Sequence, residues 1–296
     1  MKNIIFFAIF FLLTHSAYST CTHPQEAKEV ATISNPALTE NSGIDFSKIH
    51  PKTFWTLNDK NNSAEVFAVS TDGENLGSFE ITGAKNSDWE DISVAACFDD
   101  RAKSCIYIAD TGNNKGKRED FTIYVVEEPQ RLTSGALALK MKINFTSREG
   151  LNFESVSVNE RDNSFILVSK SGQMDDKSSP SQQVSKVFLL GPGSERLREI
   201  ASIDFKKFSS RLKKEDTMVT SGDFHSGSQT LLLGTYGKAF EIPLGQLAAF
   251  ATMAKLIDVP AMDKAESIAY HESTQGLSIF TSSEGMDQPL FEIRCR

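Results

Sequence analysis

One pattern recurs five times along this chain and restricts its fold more than any other feature. Two strand-like apolar runs, joined by a polar turn, end in a loop rich in Gly, Asn, Asp or Ser. The paired runs fall at residues 42–46 and 54–59, 89–94 and 106–114, 153–158 and 165–170, 221–224 and 231–237, and 265–270 and 277–284. A third run follows each pair, at 66–69, 122–126, 186–190, 239–242 and 290–293, and a fourth follows in four copies, at 77–81, 139–145, 197–203 and 255–259. Period-two alternation with β-branched and aromatic enrichment makes these strands rather than helices. Repetition of four-stranded units predicts an all-β chain, a five-bladed β-propeller, with six blades as the alternative. The fifth unit lacks an outer strand, and residues 29–33 are placed to supply it and close the ring. The stretch 246–254 is the one helix-compatible connector, and 177–183 reads as a polar insertion.

The chain has 296 residues with 31 Lys and Arg against 39 Asp and Glu, a net charge of −8. With 24% charged and 40% hydrophobic residues, wholesale disorder is excluded. The acidic balance argues against a nucleic-acid partner, because phosphate binding needs a basic face.

Lys2, an apolar run over 4–13 and the small residues around 17–19 form a secretory signal over 1–20, leaving a single propeller domain over 21–296. The run falls short of the roughly 20 apolar residues that span a bilayer, and no second run of that length follows. A soluble, monomeric protein of the periplasm or extracellular space is expected. A lipid anchor at Cys21 is the lesser reading, since Tyr18 stands where a Leu-like residue is expected. In an oxidising compartment the four cysteines should pair. Cys97 and Cys105 flank a polar loop between two strand-like runs and can clip a hairpin, which leaves Cys21 to pair with Cys295 and lock the ring.

In an antiparallel blade, the start of the innermost strand and the end of the second lie on one face. That places Glu90, Asp91, Glu154, Asp223 and Glu266 on one rim with Asn58, Asp59, Asp110, Asn113, Asn114, Lys170, Tyr236, Lys238, Ser283 and Glu284. Crowded carboxylates repel unless they share a cation, protons or donors. Hard oxygen ligands suit Ca²⁺, and the expected ligand set is Glu90, Glu154, Glu266, Asp59, Asp110 and Asn113. Asn58, Asp91, Asn114, Lys170, Asp223, Tyr236, Lys238, Ser283 and Glu284 are expected to contact a small-molecule or protein ligand at that rim. The competing structural reading is that such residues only accept hydrogen bonds from loop amides. Trp89 reads as packing between blades, and His225 and His271 as surface residues of the opposite face. No nucleophile elbow, P-loop or dinucleotide fingerprint occurs.

The segments 88–92, 109–114 with Arg118, 123–129, 152–155, 235–237 and 282–285 resemble a family of secreted bacterial β-propeller proteins without an assigned reaction. More distantly they are similar to the esterase-like phytases and the SdiA-regulated propellers, some of which are thought to bind calcium. The resemblance implies a propeller and export. It leaves two functions open: a Ca²⁺-holding binding module, or a Ca²⁺-dependent hydrolase of phosphoesters or lactones. In the hydrolase, Lys170, Lys238 and Arg118 would hold an anionic group.

Overall fold

A computed structural model describes residues 21–171 and 184–296. The signal expected over 1–20 and the whole of the insertion expected at 177–183 lie outside the described residues. No described helix is long and apolar enough to cross a membrane.

Among the described residues, twenty strands form a succession of antiparallel meanders. The first comprises β2 (Asn41–Phe46), β3 (Thr53–Asn58), β4 (Glu65–Ser70) and β5 (Asn75–Thr82). The second comprises β6 (Trp89–Ala96), β7 (Ser104–Asp110), β8 (Asp120–Glu127) and β9 (Gly135–Thr146). Next come β10 (Phe153–Asn159), β11 (Ser164–Ser169), β12 (Val184–Leu190) and β13 (Leu197–Asp204). The fourth holds β14 (Val219–His225), β15 (Thr230–Thr235), β16 (Ala239–Pro243) and β17 (Lys255–Ile257). In the last, β18 (Ala265–Ser273), β19 (Gly276–Ser283) and β20 (Gln288–Arg294) are completed by β1 (Lys28–Ile33), antiparallel to β20. The connector at 244–253 is a 3₁₀ turn running into one helical turn.

Hydrogen bonding groups these strands into four sheets, because the first two meanders merge through a short parallel seam, Phe79 opposite Gly135 to Thr82 opposite Ala138. The seam covers two outer edges that would otherwise expose unpaired backbone. The inner strands β2, β6, β10, β14 and β18 adjoin one another in sequence, and β18 returns to β2. Apolar clusters fill the wedges between neighbouring meanders; Trp55 and Trp89, both fully buried, share the wedge between the first two. The arrangement is propeller-like, and its core lies between the sheets rather than along the axis.

Hydroxyls tie neighbouring units at the start of the inner strands. Ser42 donates to the Glu90 carbonyl at 2.6 Å, Thr111 to that of Phe153 at 2.8 Å and Thr220 to that of Ala265 at 2.6 Å. Disulfides join Cys21 to Cys295 and Cys97 to Cys105, pairings that fit an oxidising compartment. The first lies beside the β1–β20 closure and links residues 274 apart in sequence.

Candidate functional site

Each inner strand opens with a β-bulge, and the extra residue recurs at the same place in every unit. The register skips Gly43, Glu90, Glu154, Thr220 and Glu266. A bulge re-aims a side chain out of the ladder, so three glutamates occupy equivalent positions at one mouth of the ring, as their spacing predicts. Gly43 adopts φ +63°, and a Cβ there would press on Asp91.

The structure draws a tighter group from that rim. Asp59, Asp88 and Glu90 each offer a carboxylate oxygen, and the three oxygens lie within 4.8 Å of one another. Asn86 assembles the two halves. Its Nδ2 donates to the Asn58 and Asp59 carbonyls at 2.9 and 2.8 Å, while its Oδ1 accepts the Trp89 N–H at 3.1 Å. Asp88 is fixed in turn by donating its N–H to Asp110 Oδ1, and its carbonyl accepts from Thr111 and Gly112. Neither Asp88 nor Asn86 was among the expected ligands. Asp88 stands one residue before the strand, where sequence alternation carries no signal, and the role of Asn86 requires contacts across two units.

Glu90 is 5% exposed. Its Oε1 and the Asp88 Oδ1 are buried without a hydrogen-bond partner among the described residues. Burial pushes the Glu90 carboxyl well above its ordinary range, and the neighbouring Glu154, Asp59 and Asp88 push it further. Burial, then Asp59, raises Asp88 to about 6. Gly112 closes the back of the group: a Cβ there would overlap Glu90 Oε1 and the Asp88 carboxyl. Lys60 approaches from the open side, its Nζ 3.0 Å from Asp59 and 3.8 Å from Asp88.

The other expected ligands have different partners. Glu154 accepts from Lys170 Nζ at 2.9 Å and from Asn152 at 2.5 Å. Lys170 lies over the Tyr236 ring at 5.1 Å, and the Tyr236 hydroxyl donates to Glu266 at 3.2 Å. Burial, then Glu154 and Glu284, raises Glu266 to about 8. Asp110 is paired with Arg118 at 2.6 Å. Asn113 Oδ1 accepts the Lys117 and Arg118 N–H groups, and its Nδ2 donates to the Arg118 and Leu151 carbonyls, so its amide is spent on its own loop and on the segment that leads into β10. Asn58 likewise holds the Thr39 and Glu40 N–H groups at 2.9 Å.

Asn114 accepts from Asn152, Lys238 pairs with the exposed Asp258, Ser283 with Gln288 and Glu284 with Lys264. Asp91 does not face the mouth: it accepts the Ile92 and Val156 N–H groups at 2.9 and 2.8 Å. Asp223 lies three residues beyond its bulge, accepts from Phe224 and Tyr270 at 2.6 and 2.8 Å, and lines the opposite mouth.

That opposite mouth opens into a cavity of about 1160 Å³ bordered by Asp45, Lys48, Glu160 and Asp223. His225 and His271 line it, on the opposite face as expected, and are half-buried there rather than surface residues. His225 bonds Glu272 at 2.7 Å, and His271 stacks on Phe46 at 4.1 Å, where burial lowers its pKa.

No protein-family model matches the sequence, and no curated protein does. Among solved structures the chain is similar to a luciferin-regenerating enzyme, at 6% identity over 92% of this chain and 95% of that one, with a TM-score of 0.46. It is also similar to a nidogen/laminin complex, at 11% identity over 83% of this chain and 73% of that one, with a TM-score of 0.44.

Proposed function

We propose that the chain is an exported five-bladed β-propeller that binds a hard divalent cation, Ca²⁺, at Asp59, Asp88 and Glu90 and presents it to a ligand at that mouth. Five successive four-stranded meanders, with β1 completing the last, support the blade count. The observation that carries the cation reading is the buried, unpartnered Oε1 of Glu90 inside a trio of carboxylates. An uncompensated buried carboxylate is costly, whereas Ca²⁺ takes oxygens at about 2.3–2.6 Å, so opposite ligands lie up to about 5 Å apart. The spacing of the trio suits such a sphere, which loop carbonyls and water would complete. Of the ligand set expected from the sequence, Asp59 and Glu90 stay in this reading and Asp88 joins them.

The binding module is favoured over the hydrolase by the state of the basic residues. Lys170, Arg118 and Lys238 are each paired with a carboxylate, so none is left free for an anionic substrate group. Thermal melts with Ca²⁺ and with EGTA test the reading. A cation bound only by the folded state stabilises by about 2.7 kcal/mol at a hundredfold excess over Kd, and Glu90→Gln is expected to abolish the shift. An unchanged melting temperature in millimolar Ca²⁺ rejects the site. Turnover in a panel of phosphoesters and lactones, lost in Glu90→Gln, would instead favour the hydrolase.

A further inference from the structure

Among the described residues, one ammonium stands at the proposed cation site, that of Lys60. Lys60 Nζ contacts Asp59 Oδ2 and stands near Asp88 Oδ1, but it forms no ion pair with Glu90. Burial works against the charge on this lysine, yet Asp59 first and Asp88 after it hold its pKa above the ordinary value. Its ammonium hydrogen-bonds Asp59 alone, stands 3.8 Å from Asp88 Oδ1, and leaves that oxygen and Glu90 Oε1 without a hydrogen-bond partner among the described residues.

Three features make this ammonium displaceable. Its side chain is 42% exposed, so the stem leads to solvent and withdrawal breaks only a partly screened contact. The Lys60 backbone N–H separately donates to Asp59 Oδ1, so the carboxylate keeps an anchor when the side chain leaves. Gly112 packs directly against the Glu90 and Asp88 carboxyls, whereas the Lys60 side chain reaches solvent. An ammonium and a divalent ion within about 4 Å of each other repel, and the two cannot share the trio.

We infer that Lys60 is a tethered competitor for the cation: its ammonium covers the open side of the Asp59–Asp88–Glu90 trio, must swing out when a divalent ion enters, and so sets the affinity of the site and its preference for divalent over monovalent ions. A free monovalent cation offers the trio no more charge than Lys60 already does, and Lys60 has the higher effective concentration. A divalent ion brings twice the charge and can also reach Glu90.

This inference rests on the cation reading, and one experiment separates the two. Ca²⁺ is titrated calorimetrically into wild type, Lys60→Met and Lys60→Arg, each at low and at 150 mM KCl, with circular dichroism confirming the fold. Lys60→Met is expected to bind Ca²⁺ at least tenfold more tightly than wild type and to become sensitive to K⁺, while Lys60→Arg stays near wild type. Binding by Lys60→Met alone, with wild type silent, overturns the cation reading of the native chain, because Lys60 then fills the trio rather than tuning it. Wild-type binding that is unchanged or weakened in Lys60→Met overturns the role of Lys60 and leaves the cation site standing. Silence in all three proteins overturns both.

Discussion

The ring carries two sets of buried or half-buried carboxylates on the same inner strands, and they have different partners. Asp45, Asp91 and Asp223 lie inside regular strand, where one oxygen accepts the next residue's N–H and the other an N–H of the neighbouring inner strand, from Val94, Val156 and Tyr270. Glu90, Glu154 and Glu266 sit on bulges, turned out of the ladder towards the mouth, where they meet side chains or nothing. Burial raises the pKa in both sets. For Asp91, backbone N–H groups oppose the rise; for Glu90, neighbouring carboxylates add to it. Placement relative to the bulge thus decides whether a carboxylate fastens one blade to the next or is left with charge to share.

The sharpest way to break this comparison is to remove one member of each set. Asp223→Ala strands the Phe224 and Tyr270 N–H groups, at about 1–3 kcal/mol each, and a loss of about 2–4 °C per kcal/mol is expected for a chain of this size. Glu90→Gln, measured without added cation, replaces a buried carboxyl that has no hydrogen-bond partner on Oε1 among the described residues, and is expected to leave the melting temperature unchanged or raise it. If both variants melt early by similar amounts, the two sets are energetically alike and the distinction fails.

A pH series probes the bulge set from another side. Glu266 is raised to about 8 from an ordinary 4.5. Between those values the folded chain keeps a proton that the unfolded chain has released. Its contribution to stability is therefore greatest below about pH 4.5 and declines as the pH rises towards 8, by about 1.4 kcal/mol per unit at most. Subtracting the stability profile of Glu266→Gln from that of wild type isolates this slope. A difference profile that is flat from pH 5 to 8 shows that the Glu266 carboxyl titrates as it does in water.

Gly112→Ala asks whether the space behind the trio is needed. Its Cβ would overlap Glu90 and Asp88, so a cost of about 1–3 kcal/mol is expected from overpacking, together with loss of any Ca²⁺-induced thermal shift. A variant that keeps the full shift would show that the trio can rearrange without losing its ion.

The fold was legible because its signals are local and repeated. Alternation and turn residues mark each strand of β2–β20, and the missing outer strand of the last unit pointed to β1. The equivalence of Glu90, Glu154 and Glu266 could also be read, since each precedes an alternating run by the same offset. The grouping of side chains could not. Asn58 and Asn113 have the chemistry of oxygen ligands, but whether an amide binds an ion or holds its own loop depends on N–H groups that only the folded turn brings near. Asp223 resembles a rim residue until the bulge at Thr220 is known, because three residues of extended strand carry it towards the other mouth. The convergence of Asp59 with Asp88 depends on Asn86, whose bonds reach into the preceding unit.

The smallest expected effect lies at the edge of the bulge set, where Tyr236 gives Glu266 its one hydrogen bond from a neutral donor at 3.2 Å. Burial raises the phenol to about 12, so it stays a donor throughout the physiological range. Tyr236→Phe keeps a ring beneath the Lys170 ammonium and removes only the hydroxyl. A loss of about 0.5–1.5 kcal/mol is expected, the net value of one such bond. Because a hydrogen bond to the ionised carboxyl favours that form, its removal should also move the Glu266 midpoint upwards, which an NMR titration of the side-chain carboxyl can follow. A midpoint that stays put or falls in Tyr236→Phe would mean that the phenol does not hold the charged form of Glu266. The contrast between glutamates supported by side chains and aspartates supported by backbone would then rest on Glu90 and Glu154 alone.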